Sequence, residues 1–195
     1  MATKSEKTRE HIIDCSYSLF AEYGFKNITM KDVCERTGMS RGGLYSHFPG
    51  TAEIFEALIR RMTESGAMDF QTAIKKNIPA VTILNNAFKD MEEELMHPED
   101  SLSIAIYEYA TSTDNSIIAE LSDRAAKRWR ALIRYGIKTG EFRKVNTDEI
   151  VNLILYTYQG VRMWSRISPI DKKTYHSLIR NIKRQLIGNP GGIDT

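Results

Sequence analysis

Five prolines, Pro49, Pro79, Pro98, Pro169 and Pro190, all fall between stretches whose apolar residues recur every three to four positions. Proline inside a helix removes a backbone donor and clashes with the preceding turn, at a cost of ~3 kcal/mol, so these positions read as helix boundaries. Nowhere does a run of about four to eight residues alternate apolar and polar between turn signals, so no strand is expected. The chain should be all-α. The spacing predicts nine helices, over about 4–23, 30–37, 40–48, 51–76, 79–96, 101–111, 116–139, 147–166 and 171–187.

A chain of 195 residues, 42% hydrophobic and 27% charged, is too apolar for a disordered protein and long enough for one medium domain or two small ones. No apolar run reaches the ~18 to 20 residues that span a bilayer, and the polar start "MATKSEKTRE" lacks a signal-peptide core. Cys15 and Cys34 show no CxxC spacing, so neither a disulfide framework nor a zinc cluster is expected, and a reducing cytoplasm is the simplest compartment. His11, His97 and His176 lack partners at metal-ligand spacing. No Ser-His-Asp order, phosphate loop or paired catalytic carboxylates can be found. No catalytic residue, metal or cofactor is therefore assigned, no membrane partner is expected, and an enzyme is not expected.

The stretch 29–48, "TMKDVCERTGMSRGGLYSHF", has helix-turn-helix spacing. Thr29 and Asp32 form a capping box, Gly38 sits where the chain reverses, and Val33, Met39 and Leu44 are apolar where two crossing helices must touch. In such a unit the second helix enters the DNA major groove, while the first helix and nearby loops meet phosphates. From Ser40 to Phe48 there is no Asp or Glu, and the donors are Ser40, Arg41, Tyr45, Ser46 and His47. Gly42 and Gly43 each cost ~0.8 to 1.0 kcal/mol relative to Ala in an exposed helix. Their gain is a backbone without Cβ, which a phosphate or base edge can approach closely. Charge adds little, since residues 1–63 carry nine Lys and Arg against eight Asp and Glu and the whole chain is only +2. Binding would rest on local placement.

These residues carry a specific resemblance. "GFKNITMKDVCERTGMSRGGLYSHF" followed by "EIFEALI" resembles the N-terminal domain of the TetR family of bacterial transcriptional regulators, over roughly residues 9–60. The resemblance implies a nine-helix architecture with a three-helix DNA-binding domain at 1–50, linked through a fourth helix at 51–76. A helical effector and dimerisation domain would occupy 51–188, followed by a flexible tail at 189–195. It further implies a cytoplasmic homodimer that represses promoters at a near-palindromic operator on double-stranded DNA and releases it when a small-molecule effector binds. By the same resemblance Tyr45 and His47 contact phosphates, Thr29 and Met30 start the helix that meets the backbone, and Arg41 and Gly42 face the groove. Lys31 is the nearest long donor for base readout at the start of that helix, and Gly43 completes the groove surface while adding no base-reading side chain. Ser46 stands where many members carry an aromatic or basic residue, and "PGT" at 49–51 replaces the usual lysine-containing segment. An alternative is a DNA-binding adaptor whose helical body is gated by a protein partner.

In the body, "DEIVNLILYTYQGVRMW" is apolar most of the way round, so it must be covered on more than one side. With the last helix it is expected to pack partly on its own core and partly on a second copy, through Tyr158, Val161, Trp164, Tyr175, Leu178 and Ile182. Most of the Met and aromatic residues between Met62 and Trp164, Met68 included, read as core. Phe88, Met91, Tyr107, Trp129 and Tyr156 are the candidates for lining an effector cavity. The acidic run "DMEEELMHPED" at 90–100 would favour a cationic effector if it lay beside those aromatics.

Overall fold

A computed structural model of the chain describes residues 3–65, 70–97, 101–112 and 116–187, with side chains 64 and 65 excepted. The described residues are all helical, without strands, in ten helices. They are α1 Lys4–Tyr23, α2 Met30–Thr37, α3 Arg41–Tyr45, α4 Thr51–Ser65, α5 Phe70–Lys75, α6 Ala80–Met96, α7 Ser103–Ser112, α8 Ser116–Thr139, α9 Thr147–Trp164 and α10 Lys172–Ile187. The single helix expected over 51–76 is two, α4 and α5, which raises the count from nine to ten. Met68, the end of the acidic run and the tail at 189–195 lie outside the described residues.

The chain divides into two compact units. The first comprises 1–67 and 99–121, the second 68–98 and 122–195. The expected boundary at residue 50 lies inside the first of these units. The reason is the apolar face of α4, whose Ile54, Phe55, Leu58 and Ile59 close the same core as Ile12, Phe20, Val33, Leu44 and Phe48. Leu102, Ala105 and Tyr109 of α7 complete that core. Phe20, Phe25, Phe55 and Tyr109 form an aromatic cluster in it, with centroids 4.8 to 6.1 Å apart.

In the second unit α6, α9, α10 and most of α8 bury Leu84, Phe88, Trp129, Leu132, Ile154, Tyr175, Ile182 and Leu186. Trp129 stacks on Phe88 at 5.8 Å and meets Phe70 edge-on at 5.1 Å. The turn after α8 is a joint in its own right. Gly140 (φ 78°) ends the helix, and the Glu141 carboxylate accepts the amides of Ala80 and Val81 at 2.9 and 3.1 Å. This caps α6, which begins at Pro79 without a side-chain cap of its own. Burial opposes ionisation of Glu141, but those amides and the Thr139 hydroxyl outweigh it and hold the carboxyl below its ordinary range. Among the described residues no helix is long and apolar enough to cross a membrane.

Candidate nucleic-acid interface

The helix-turn-helix forms from local rules. Thr29 caps α2, with its hydroxyl accepting from the Asp32 amide and the Asp32 carboxylate accepting from the Thr29 amide at 2.8 Å. Hydrogen bonds from the Thr29 hydroxyl and then from its amide hold the Asp32 carboxyl below its usual range, so the box is ionised at neutral pH. Gly38 turns the chain in the left-handed region at φ 69°, and Ser40 caps α3 by accepting from the Gly43 amide at 3.2 Å. Val33 and Leu44, both fully buried, lock the two helices together.

On the outer surface of α3, Arg41, Gly42 and Tyr45 are exposed and Ser40 lies at its start. Arg41 has no ion-pair partner among the described residues. Around the ideal Cβ position of Gly42 nothing lies within 4 Å. Gly43 differs, because its Cβ would meet Ser40 Oγ at 3.2 Å and Met39 Cε at 3.6 Å. Gly43 thus answers a constraint inside the motif, the fit of the Ser40 cap, which sequence spacing does not reveal. At the end of α3, His47 is half-buried, and its backbone carbonyl accepts from Arg9 Nη1 of α1 at 2.5 Å. At the start of α2, Thr29 is exposed. The Met30 side chain is half-buried, packed against the core. Lys31 is exposed and pairs with Glu35 at 3.6 Å, an i,i+4 pair of small energetic weight.

Two residues not singled out by sequence reasoning support this surface. Arg9 holds the His47 turn, and Glu108 of α7 holds the turn that leads into α2. The Glu108 carboxylate accepts the amides of Phe25 and Lys26 at 2.7 and 3.0 Å. The neighbouring Gly24, at φ 78°, leaves the room for it. No local pattern flags either residue, since their partners lie 38 and 83 positions away.

A short helix lacking acids, presenting an arginine, a phenol and an open glycine behind a capped partner helix, is a DNA-reading arrangement. Residues 12–58 match the family model for bacterial regulatory proteins of the tetR family. Over that segment the chain is a TetR-family DNA-binding domain. Its relatives include the HTH-type transcriptional regulator SrpR of Pseudomonas putida, 25% identical over 95% of this chain and 92% of that protein. The uncharacterized HTH-type transcriptional regulator YfiR of Bacillus subtilis is 28% identical over 72% of this chain and 70% of its own. Among solved structures, a putative transcriptional regulator from Saccharomonospora viridis in complex with choline has a TM-score of 0.77. It is 22% identical and covers 93% of this chain and 98% of its own. This TetR-family protein is a DNA-binding transcriptional regulator, not an enzyme.

The regulator's body redistributes the remaining expected residues. Phe88 and Met91 line an apolar cleft with Ile154, Thr157, Tyr158, Val161, Tyr175, Ile179 and Ile182, and Trp129 is buried behind Phe88. The open volume of the cleft is about 10 Å3, room for one water at most. Tyr107 and Tyr156 do not line it. They are 60% and 78% exposed, and Tyr107 belongs to the first unit. Of the expected interface residues, Tyr175 and Ile182 are buried in the chain's own core, with the Tyr175 hydroxyl donating to the Phe88 carbonyl at 2.6 Å. Tyr158 and Val161 are half-buried against the same core, and the Tyr158 hydroxyl donates to Glu94. Leu178 is half-buried, and Trp164 is 63% exposed. This placement has a simple cause. Periodicity marks an apolar stripe but not the surface that covers it, and the α10 stripe Tyr175, Ile179, Ile182 and Leu186 faces inward.

Proposed function

We propose that this regulator acts as a homodimer that represses transcription from a near-palindromic operator and leaves it when a small molecule binds the helical body. The observation that carries the reading is the acid-free α3 surface, with Arg41 unpaired and Gly42 open. In this reading Arg41 reads a base edge, and Tyr45 and His47 meet flanking phosphates. Thr29, the backbone of Met30, Lys31 and Ser40 approach the strand, and Gly43 sets the cap. The test is binding to the DNA upstream of the protein's own gene. Arg41→Ala should lose about 1–3 kcal/mol of discrimination against random duplex. Tyr45→Phe should weaken both alike, and equal losses for Arg41→Ala would remove it from base readout.

Dimerisation is supported by a stripe along α9 and just beyond it, where Tyr156, Trp164 and Ile167 are 78%, 63% and 71% exposed. Gly160 lies between them with open space at its Cβ position. Exposed apolar residues at this density mark an interaction surface. A Trp164→Glu variant that still sediments as a dimer would exclude it. Effector entry would open the cleft at Phe88 and Met91, which aromatic rings line and Glu92 and Glu94 flank through Tyr175 and Tyr158. Aromatic faces with carboxylates suit a small cation, and the choline-bound relative makes quaternary amines the first compounds to test by melting shift. The closed state of the cleft favours a second reading, in which a protein partner gates the body. An absence of any melting shift across cationic, neutral and anionic compounds would support that reading.

A further inference from the structure

We propose that Arg9 is part of the DNA interface, positioning the turn that carries His47 and delivering an unneutralised guanidinium to the phosphates there. The inference rests on the DNA-binding reading of α2 and α3. Two contacts fix the side chain. Nη1 donates to the His47 carbonyl at 2.5 Å, and the guanidinium centre lies 4.0 Å over the ring of Phe48. Phe48 is buried and cannot move away, so the ring and the carbonyl together define the guanidinium plane.

Charge is the second part of the argument. The acids nearest to Arg9 along α1 toward its C-terminus, Glu10 and Asp14, are both taken by Arg61 of α4, at 2.7 Å each. Arg60 of the same helix pairs with Glu120 at 3.2 Å. Arg9 has no carboxylate partner among the described residues, and its two contacts are neutral. A guanidinium carries five N–H donors in a planar fork, so most remain available beside the residue placed at the phosphates. That fork matches a phosphate in two-point geometry, and a side chain already held loses little freedom on binding. Residues 1–63 carry only one positive charge in excess, so one arginine left unpaired in this position weighs heavily in their affinity for any duplex.

Salt dependence separates this role from a merely structural one. Each phosphate contact contributes about 0.9 to the slope of log affinity against log salt. Wild type, Arg9→Gln and Arg9→Lys are titrated by fluorescence anisotropy against a short random-sequence duplex over a salt series, with melting temperatures measured alongside. Arg9→Gln should lower the slope by about one for each copy of the protein engaged. Arg9→Lys should retain the slope yet bind more weakly, because an ammonium neither forks nor stacks in the same way. An unchanged slope in Arg9→Gln, with or without a lower melting temperature, would overturn the proposal and leave Arg9 as a structural staple. If Arg9→Gln fails to fold, the Nε–H resonance of Arg9 in wild type must shift when duplex is added, and no shift overturns it. Failure of wild type to bind any duplex would instead sink the DNA-binding reading, a separate outcome.

Discussion

Gly24→Ala tests whether α7 holds the turn between α1 and α2. Gly24 adopts φ 78° and ψ −177°, a region that residues bearing a Cβ avoid, and placing alanine there costs on the order of 1–3 kcal/mol. The new methyl would also lie 2.5 Å from Glu108 Oε2, and its three nearest atoms are all of that carboxylate. The carboxylate must withdraw, which breaks its bonds from the Phe25 and Lys26 amides. Hydrogen bonds to a charged group contribute roughly 1.5–3 kcal/mol each when shielded. Glu108 is only half-buried and the amides can find water, so about 1–2 kcal/mol for the pair is the reasonable figure. The total is roughly 2–5 kcal/mol, to be read from urea denaturation. The Glu108→Ala background isolates the two causes, because there Gly24→Ala should cost only the backbone strain. The coupling energy between the two substitutions should then be about 1–2 kcal/mol. Additive losses would refute the carboxylate clamp, and a total loss below about 1 kcal/mol would refute the backbone argument as well.

Three further outcomes follow from the same geometry. Gly136→Ala places a Cβ 2.2 Å from the buried Phe142 ring, so overpacking of about 1–3 kcal/mol should exceed the ~1 kcal/mol helix gain and lower the melting temperature. Glu141→Gln tests the α6 cap. Its carboxyl is held below the ordinary 4.5, so its contribution is full above that pH and is lost as pH falls through the lower folded value. Wild type and Glu141→Gln should thus differ in melting temperature at neutral pH, and the difference should shrink as pH falls below the ordinary carboxylate range. In α3, Gly42→Ala should raise stability by up to ~1 kcal/mol and weaken DNA binding, while Gly43→Ala should stay within about 0.5 kcal/mol of wild type because its methyl crowds Ser40 Oγ. Equal stabilisation by the two substitutions would show that the cap does not feel position 43.

The amino-acid sequence by itself determined the helices and the helix-turn-helix. Thr29 with Asp32, Gly38, Ser40 and the prolines act on backbone groups within about four residues, so their effect is written locally. The same locality explains why Arg41, Gly42 and Tyr45, the residues proposed to read DNA, stand exposed on α3. Tertiary structure alone decided what each apolar stripe covers. Tyr175 and Ile182 turn inward onto Phe88, whereas Tyr156 and Trp164 face outward, although all four sit in helices of similar apolar periodicity. It also decided the long-range supports of the helix-turn-helix, Arg9 on His47 and Glu108 on Phe25, and drew α4 and α7 into the first unit. Such pairings join residues 38 to 83 positions apart. Periodicity fixes the direction of a side chain around its own helix, and only packing determines what stands opposite.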